Sequence, residues 1–277
     1  VSDVACNMWF KKGITTTMST FDRQSQGVYQ AAGTRAEAGI DQGLRAYMLG
    51  VYNYMTIGLA LTGFFALATS MLATTSDPSA AVASLGNGQM LTQLGVTLYG
   101  SPLKWVVMLA PLGMVMWLSF RIQSMSASSA RTMFLIYSAI MGISLSSIFL
   151  VYTGGSIARV FFITAASFGA LSLFGYTTKK DLSGWGSFLF MGLIGIIIAS
   201  IVNIFMASSA LQFAISVIGV LVFAGLTAYD TQQIKEMYYE GDSGEVATKK
   251  SVMGALRLYL DFINMFLMLL QLFGNRE

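Results

Sequence analysis

Two aspartates set in apolar surroundings are the residues best placed to do chemistry: Asp230, in Ala228-Tyr229-Asp230-Thr231-Gln232, and Asp261, in Leu258-Tyr259-Leu260-Asp261-Phe262-Ile263-Asn264. A carboxylate at the centre of a membrane helix costs about 2.5–3.5 kcal/mol on insertion scales, so an acid placed there reads as functional. Arg257, Asp261, Asn264, Met268 and Gln271 recur at spacings of four, three, four and three, which puts them on one face of a helix. A polar stripe of this kind cannot face lipid without penalty, so the last helix must lie inside a bundle or line a wet cavity. Asp261 lies eight residues beyond Met253, hence roughly 12 Å into a membrane at about 1.5 Å per residue. Asp230 sits near the end of the preceding run, with Thr227 on the same face. If the two carboxyls meet in a partly desolvated site they cannot both ionise cheaply, and they would hold one proton between them. Blander readings stand beside this one. Arg257, one turn before Asp261, can form a local ion pair with it; Asp230 can be an interfacial helix-end acid; Arg121 is either a topogenic anchor or a partner for one of the aspartates.

The elements that must position these residues are transmembrane helices. The chain has 277 residues, 55% hydrophobic and only 10% charged, with a mean hydropathy of +0.65. That is too little charge to cover a soluble globule of this size, and the chain reads as an integral membrane protein. Seven apolar stretches are each close to the roughly 20 residues a helix needs to cross hydrocarbon: Ala46–Leu72, Leu103–Phe120, Thr132–Tyr152, Ile157–Tyr176, Trp185–Met206, Leu211–Tyr229 and Met253–Phe273. None shows the period-two alternation of barrel strands. Histidine is absent, which removes imidazole-based triads, zinc sites and pH switches and leaves carboxylates as the groups able to sense protons. The single cysteine, Cys6, allows no intrachain disulfide. A net charge of +3, scattered through loops, gives nucleic-acid binding little support.

Lys and Arg gather in alternate connections: Arg121 and Arg131; Lys179 and Lys180; Lys235, Lys249 and Lys250. The segments 73–102, 153–156 and 207–210 contain none. By the positive-inside rule the N-terminus is cytoplasmic and, after seven spans, the C-terminus is outside; Lys104, at the outer edge of the second span, can snorkel. Residues 1–45 form a polar N-terminal tail with Arg23, Arg35 and Arg45, in which Met18-Ser19-Thr20-Phe21 resembles an ordinary start and 1–17 a candidate upstream extension. Residues 46–274 form the transmembrane domain. The outer segment 74–101 reads as a flexible linker, with a short surface helix or a flap as the alternative.

Several stretches look like motifs of the Bax inhibitor-1 family, also called the transmembrane Bax inhibitor motif family: Tyr47–Thr62 (YMLGVYNYMTIGLALT), Met141–Ile148 (MGISLSSI), Phe174–Ser183 (FGYTTKKDLS), Ala228–Lys235 (AYDTQQIK) and Ala255–Phe266 (ALRLYLDFINMF). The resemblance runs from Gly43 to Gly274 and fits a bacterial member. It implies an all-α fold of six helices wrapped around a central C-terminal helix, and a pH-sensitive calcium leak. Within their motifs, Asp230 and Asp261 match the family's di-aspartyl proton sensor, and Arg121 is the candidate for the second-helix arginine that latches the pair. Arg257 would compete for that latch.

The resulting expectation is a non-enzymatic, proton-gated cation leak of a bacterial inner membrane. It has no cofactor, and its partners are the bilayer, protons and calcium ions. Asp230, Asp261 and Arg121 lock the bundle, protonation weakens the lock, and Arg257, Asn264 and Thr227 modulate it. Two carboxylates with Asn264 and Thr227 offer calcium only weak, transient coordination, short of the six to eight oxygens of a tight site. The alternative is a non-conducting regulator that binds a membrane-bound AAA protease or other stress or cell-death machinery through the tail and the acidic loop carrying Glu236, Glu240, Asp242 and Glu245. An intramembrane aspartyl protease is disfavoured, because Asp261 stands in Leu-Asp-Phe and lacks the Gly-x-Gly-Asp setting of that class.

Overall fold

The computed structural model describes residues 42–85 and 88–276. The tail and the upstream extension expected over residues 1–41 lie outside the described residues. The chain divides into two units, Val1–Ala46 and Tyr47–Glu277, and the second contains the candidate site. Among the described residues, seven helices are long and apolar enough to cross a membrane. They are α1 (Gln42–Ala73), α2 (Leu103–Arg121), α3 (Ala127–Leu145), α4 (Gly154–Thr177), α5 (Ser183–Met206), α6 (Ser209–Glu236) and α7 (Gly244–Phe273). Short 3-10 turns, Ile122–Ser124 and Ser146–Leu150, extend α2 and α3.

Each of the seven expected spans corresponds to a helix, but the last two run further than hydropathy indicates. α6 continues past Tyr229 to Glu236 and α7 begins at Gly244, well before Met253. Hydropathy marks only the length inside hydrocarbon, and capping and loop contacts carry these helices onward. Ser243 caps α7 by accepting from the Val246 amide, and Lys250 donates to the Met237 carbonyl at 3.0 Å and to the Asp242 carboxylate at 2.5 Å, stapling the α6–α7 loop. Ser126, Thr153 and Ser208 cap α3, α4 and α6 in the same way. Each satisfies an amide that the first helical turn leaves open. α5 turns into α6 through Ala207 and Ser208: Ala207 takes the left-handed region at φ 49°, and the Ser208 amide donates to Asn203 Oδ1 at 3.0 Å to close the turn.

The linker reading of segment 74–101 is corrected. It holds a small antiparallel sheet of strands Thr74–Thr75, Ala83–Ser84 and Met90–Leu91, with the third strand in the middle. Its return is tied to α1: the Thr92 amide donates to the Ala73 carbonyl at 3.0 Å and the Thr92 hydroxyl to the Leu72 carbonyl at 2.8 Å. Those carbonyls are among the four that a helix end cannot satisfy itself, so the polar composition of the segment serves a cap. The end of the bundle bearing this sheet is called the ribbon end, and the opposite end, with the Lys- and Arg-bearing connections, the basic end.

α7 is the inner helix: 67% of its most apolar stretch is buried, against 11–39% in the other six. It packs against α6, α4 and α3. Phe262 meets Phe161 and Phe168 of α4 edge to face, and Tyr259 meets Phe134 and Tyr137 of α3. The Tyr259 hydroxyl is 2.7 Å from Thr62 Oγ1 of α1. Because the Thr62 hydrogen points to a backbone carbonyl, Gly58 or Ser138, Tyr259 is the donor of that bond. These contacts fix the rotation of α7 about its axis and leave its polar stripe turned to α6.

Candidate functional site

The α6–α7 seam is built by a close approach on the far side of α6. A Cβ at Gly175 of α4 would lie 2.9 Å from the Ala228 carbonyl carbon and 3.0 Å from its Cα, so only glycine lets the two helices meet here. Beside this contact a hydroxyl chain crosses three helices: Tyr52 to Ser172 at 2.7 Å, Ser172 to Thr231 at 2.9 Å, and Thr231 to the Thr227 carbonyl at 2.7 Å. Since Thr231 donates to a carbonyl, it accepts from Ser172, which in turn accepts from Tyr52. Asp230 follows directly, on the face of α6 that looks at α7.

In the seam, the Asp230 and Asp261 carboxyls lie side by side, within hydrogen-bonding reach of one another. Ionised carboxylates only accept, so such a contact needs one proton between the two groups. Asp261 is 5% exposed, and its Oδ2 is buried with no N–H or O–H donor bonded to it among the described residues. Asp230 is half-buried. Arg257 acts electrostatically on both carboxyls while its own side chain is exposed. Arg257, one turn before Asp261, thus places an exposed cation on the basic-end side of the pair.

The other expected participants lie apart from this contact. Arg121 ends α2 as an exposed residue, makes no ion pair among the described residues and is not among the charges acting on the aspartates. The turn after it reaches α7 while Arg121 itself stays outside, because it is Ile122, 1% exposed, that is buried there. The Thr227 hydroxyl donates to the Phe223 carbonyl and the Asn264 amide to the Leu260 carbonyl, so each is spent on its own helix. Further along the stripe, Met268 packs over Gly219, and Gln271 accepts from Gln212 at 2.5 Å and from Ser216 at 2.8 Å. These α6 residues were not singled out by sequence; their spacing from Asp230 along α6 was the available signal.

The chain has direct counterparts among known membrane proteins. The sequence profile described as "Inhibitor of apoptosis-promoting Bax1" matches residues 44–277. The chain belongs to the Bax inhibitor-1 family. It is 50% identical over 237 residues to the inner membrane protein YbhL of Escherichia coli K12, covering 85% of this chain and 94% of that protein. It is 49% identical over 246 residues to a protein of Caulobacter vibrioides, covering 88% and 94%, and 47% identical over 237 residues to protein RP147 of Rickettsia prowazekii, covering 86% and 92%. This Bax inhibitor-1 family member is thus a multi-pass membrane protein with seven transmembrane helices.

Proposed function

We propose that this protein is a proton-responsive cation leak, with calcium as cargo, whose α6–α7 seam is held shut by the Asp230–Asp261 contact. The observation that carries the reading is the juxtaposition of the two carboxyls in the seam, because the strength of a hydrogen bond between them depends on how many protons the pair holds. With one proton, the bond is charge-assisted, roughly twice as strong as a neutral one, and the remaining negative charge faces Arg257. A second proton removes the charge that Arg257 attracts; loss of the only proton leaves two anions side by side in a poorly solvated seam. Either change weakens the closure. The positive-inside distribution and the name of the E. coli relative support an inner-membrane location with the basic end facing the cytoplasm.

The alternative, a non-conducting regulator docking through its acidic loop, gains less support. Glu236 accepts from Gln233, Asp242 is paired with Lys250 and Glu245 with Lys249, so three of the four loop acids are engaged within the chain. The deciding experiment is calcium flux from proteoliposomes over a range of pH. The wild type should show a minimum with higher flux on both sides. Asp230→Asn and Asp261→Asn should each flatten that dependence, and an unaltered profile in both variants would end the sensor reading.

A further inference from the structure

The polar stripe of α7 does not stop at the aspartates. It continues toward the ribbon end through Met268 and Gln271, whose side chains meet Gly219, Gln212 and Ser216 of α6. We infer that the seam has a second closure at the ribbon end, made by a Gln212–Gln271–Ser216 clasp backed by Met268 on Gly219. The inference rests on the leak reading for its consequence, though not for its geometry.

Gln271 Oε1 accepts from the Gln212 amide at 2.5 Å and lies 2.8 Å from the Ser216 hydroxyl, whose single hydrogen is shared with the Gln212 backbone carbonyl at 2.9 Å. Gln212 Oε1 in turn accepts from Asn203 Nδ2 at 3.0 Å, which joins α5 to the same network. Asn203 and Ser216 are buried, whereas Gln271 is exposed, so the clasp sits at a mouth. One step deeper, a Cβ on Gly219 would lie 2.9 Å from Met268 Cγ and Sδ. The thioether therefore fills the space that a side chain on α6 would take, and forms an apolar stopper beneath the polar clasp. Amide groups bonded to one another present neither a free oxygen for a cation nor a path for water, and a methionine below them excludes hydration of the route. Interhelical side-chain bonds in membranes are individually weak, which suits a closure that must part. The clasp carries no titratable group, so it would set how much the route conducts without setting where on the pH scale it responds.

The test combines flux with access. In a Cys6→Ser background, Met268→Cys reports entry from the ribbon end through its rate of reaction with a membrane-impermeant cationic thiosulfonate. Gln271→Leu, or Gln212→Asn should the first variant not elute as a monodisperse species, should raise that rate at least tenfold. With Met268 intact, the same substitutions should raise calcium flux at the pH of the wild-type minimum several-fold, without moving the minimum. Tyr99→Phe breaks a polar contact between Tyr99 and Ser146 that is not part of the seam and should change neither. An unchanged labelling rate in a folded clasp variant overturns the inference, whatever the flux. Accelerated labelling with no flux from any variant upholds the closure and instead refutes the leak.

Discussion

Substituting Gly175 by alanine tests whether the α4–α6 approach that seats Asp230 exists as described. The added methyl would meet backbone atoms of Ala228, with the carbonyl oxygen nearest and the carbonyl carbon and Cα at 2.9 and 3.0 Å. Backbone in mid-helix cannot step aside as a flexible side chain can, so α4 and α6 must separate. Overpacking of this kind costs about 1–3 kcal/mol. Separation also stretches the Ser172–Thr231 bond and the bond from Lys235 Nζ to the Tyr176 carbonyl, each 2.9 Å. For a domain of this size about 1 kcal/mol moves the melting temperature by roughly 2–4 °C, so Gly175→Ala should lower it by about 2–12 °C. Gly169 of the same helix is the control, with nothing within 4 Å of its added Cβ. There alanine gains helix propensity worth about 0.8–1 kcal/mol, and the variant should melt no lower than the wild type. The assay is the fraction of detergent-solubilised protein that still elutes as a monodisperse species after heating through a temperature series. A Gly175→Ala protein as stable as Gly169→Ala would mean that the helices are not in backbone contact, and the placement of Asp230 would fall with it.

Three further predictions follow from individual contacts. Arg257→Gln should displace the pH profile of flux by at least about half a unit, the effect of a unit charge roughly 6 Å away even at the dielectric of water, while Arg121→Gln leaves the profile in place; equal effects would mean that both arginines serve the pair. Tyr259→Phe removes the bond to Thr62 and should cost about 0.5–1.5 kcal/mol, read as a lower apparent melting temperature, whereas Tyr137→Phe should be neutral or stabilising because that hydroxyl is buried without a partner among the described residues. The Asp181 carboxyl is held below its ordinary range by the Ser183 hydroxyl and then the Ser183 amide. Its contribution is therefore complete above the unfolded value of about 3.9 and is lost as pH falls through the lower folded value; Asp181→Asn should abolish that acid limb in hydrogen exchange at the start of α5.

The sequence disclosed the parts of the fold that obey a one-dimensional rule. Continuous apolar length marked seven spans, and the three-and-four spacing from Arg257 to Gln271 marked a helix that could not face lipid, which matches the buried position of α7. Helix ends were less legible because they depend on partners distant in sequence: Lys250 reaching Met237, or Thr92 capping α1 across the small sheet. Arg159, exposed near the ribbon end of α4, was passed over since hydropathy absorbed it into a span. The direction of the polar stripe could be argued from α7 alone, but which helix it faced could not. That choice is made by Tyr259 on α1 and α3 and by Phe262 on α4, which leave only α6 for the opposite face.

The same contacts separate what the Ala228–Lys235 motif does for architecture from what it can do for function. Thr231 closes the hydroxyl chain from Tyr52. Gln232 accepts from the Leu182 amide at 2.7 Å and donates to the Lys180 carbonyl at 2.8 Å. Lys235 caps the last turn of α4 at the Tyr176 carbonyl and lies over the Tyr176 ring. Each of these side chains ties α6 to neighbouring helices or to the α4–α5 connection, and removing any of them would perturb that corner of the bundle before it reached a proton. Asp230 is the motif residue that meets Asp261 across the seam. Its replacement by asparagine keeps the volume and the ability to hydrogen-bond while removing the titratable proton. A chain could therefore keep the motif's structural side chains and its fold with the seam chemistry gone. That is why the profile of Asp230→Asn against pH, measured beside Gln232→Ala as a structural comparison, separates a sensor from a well-tied helix end.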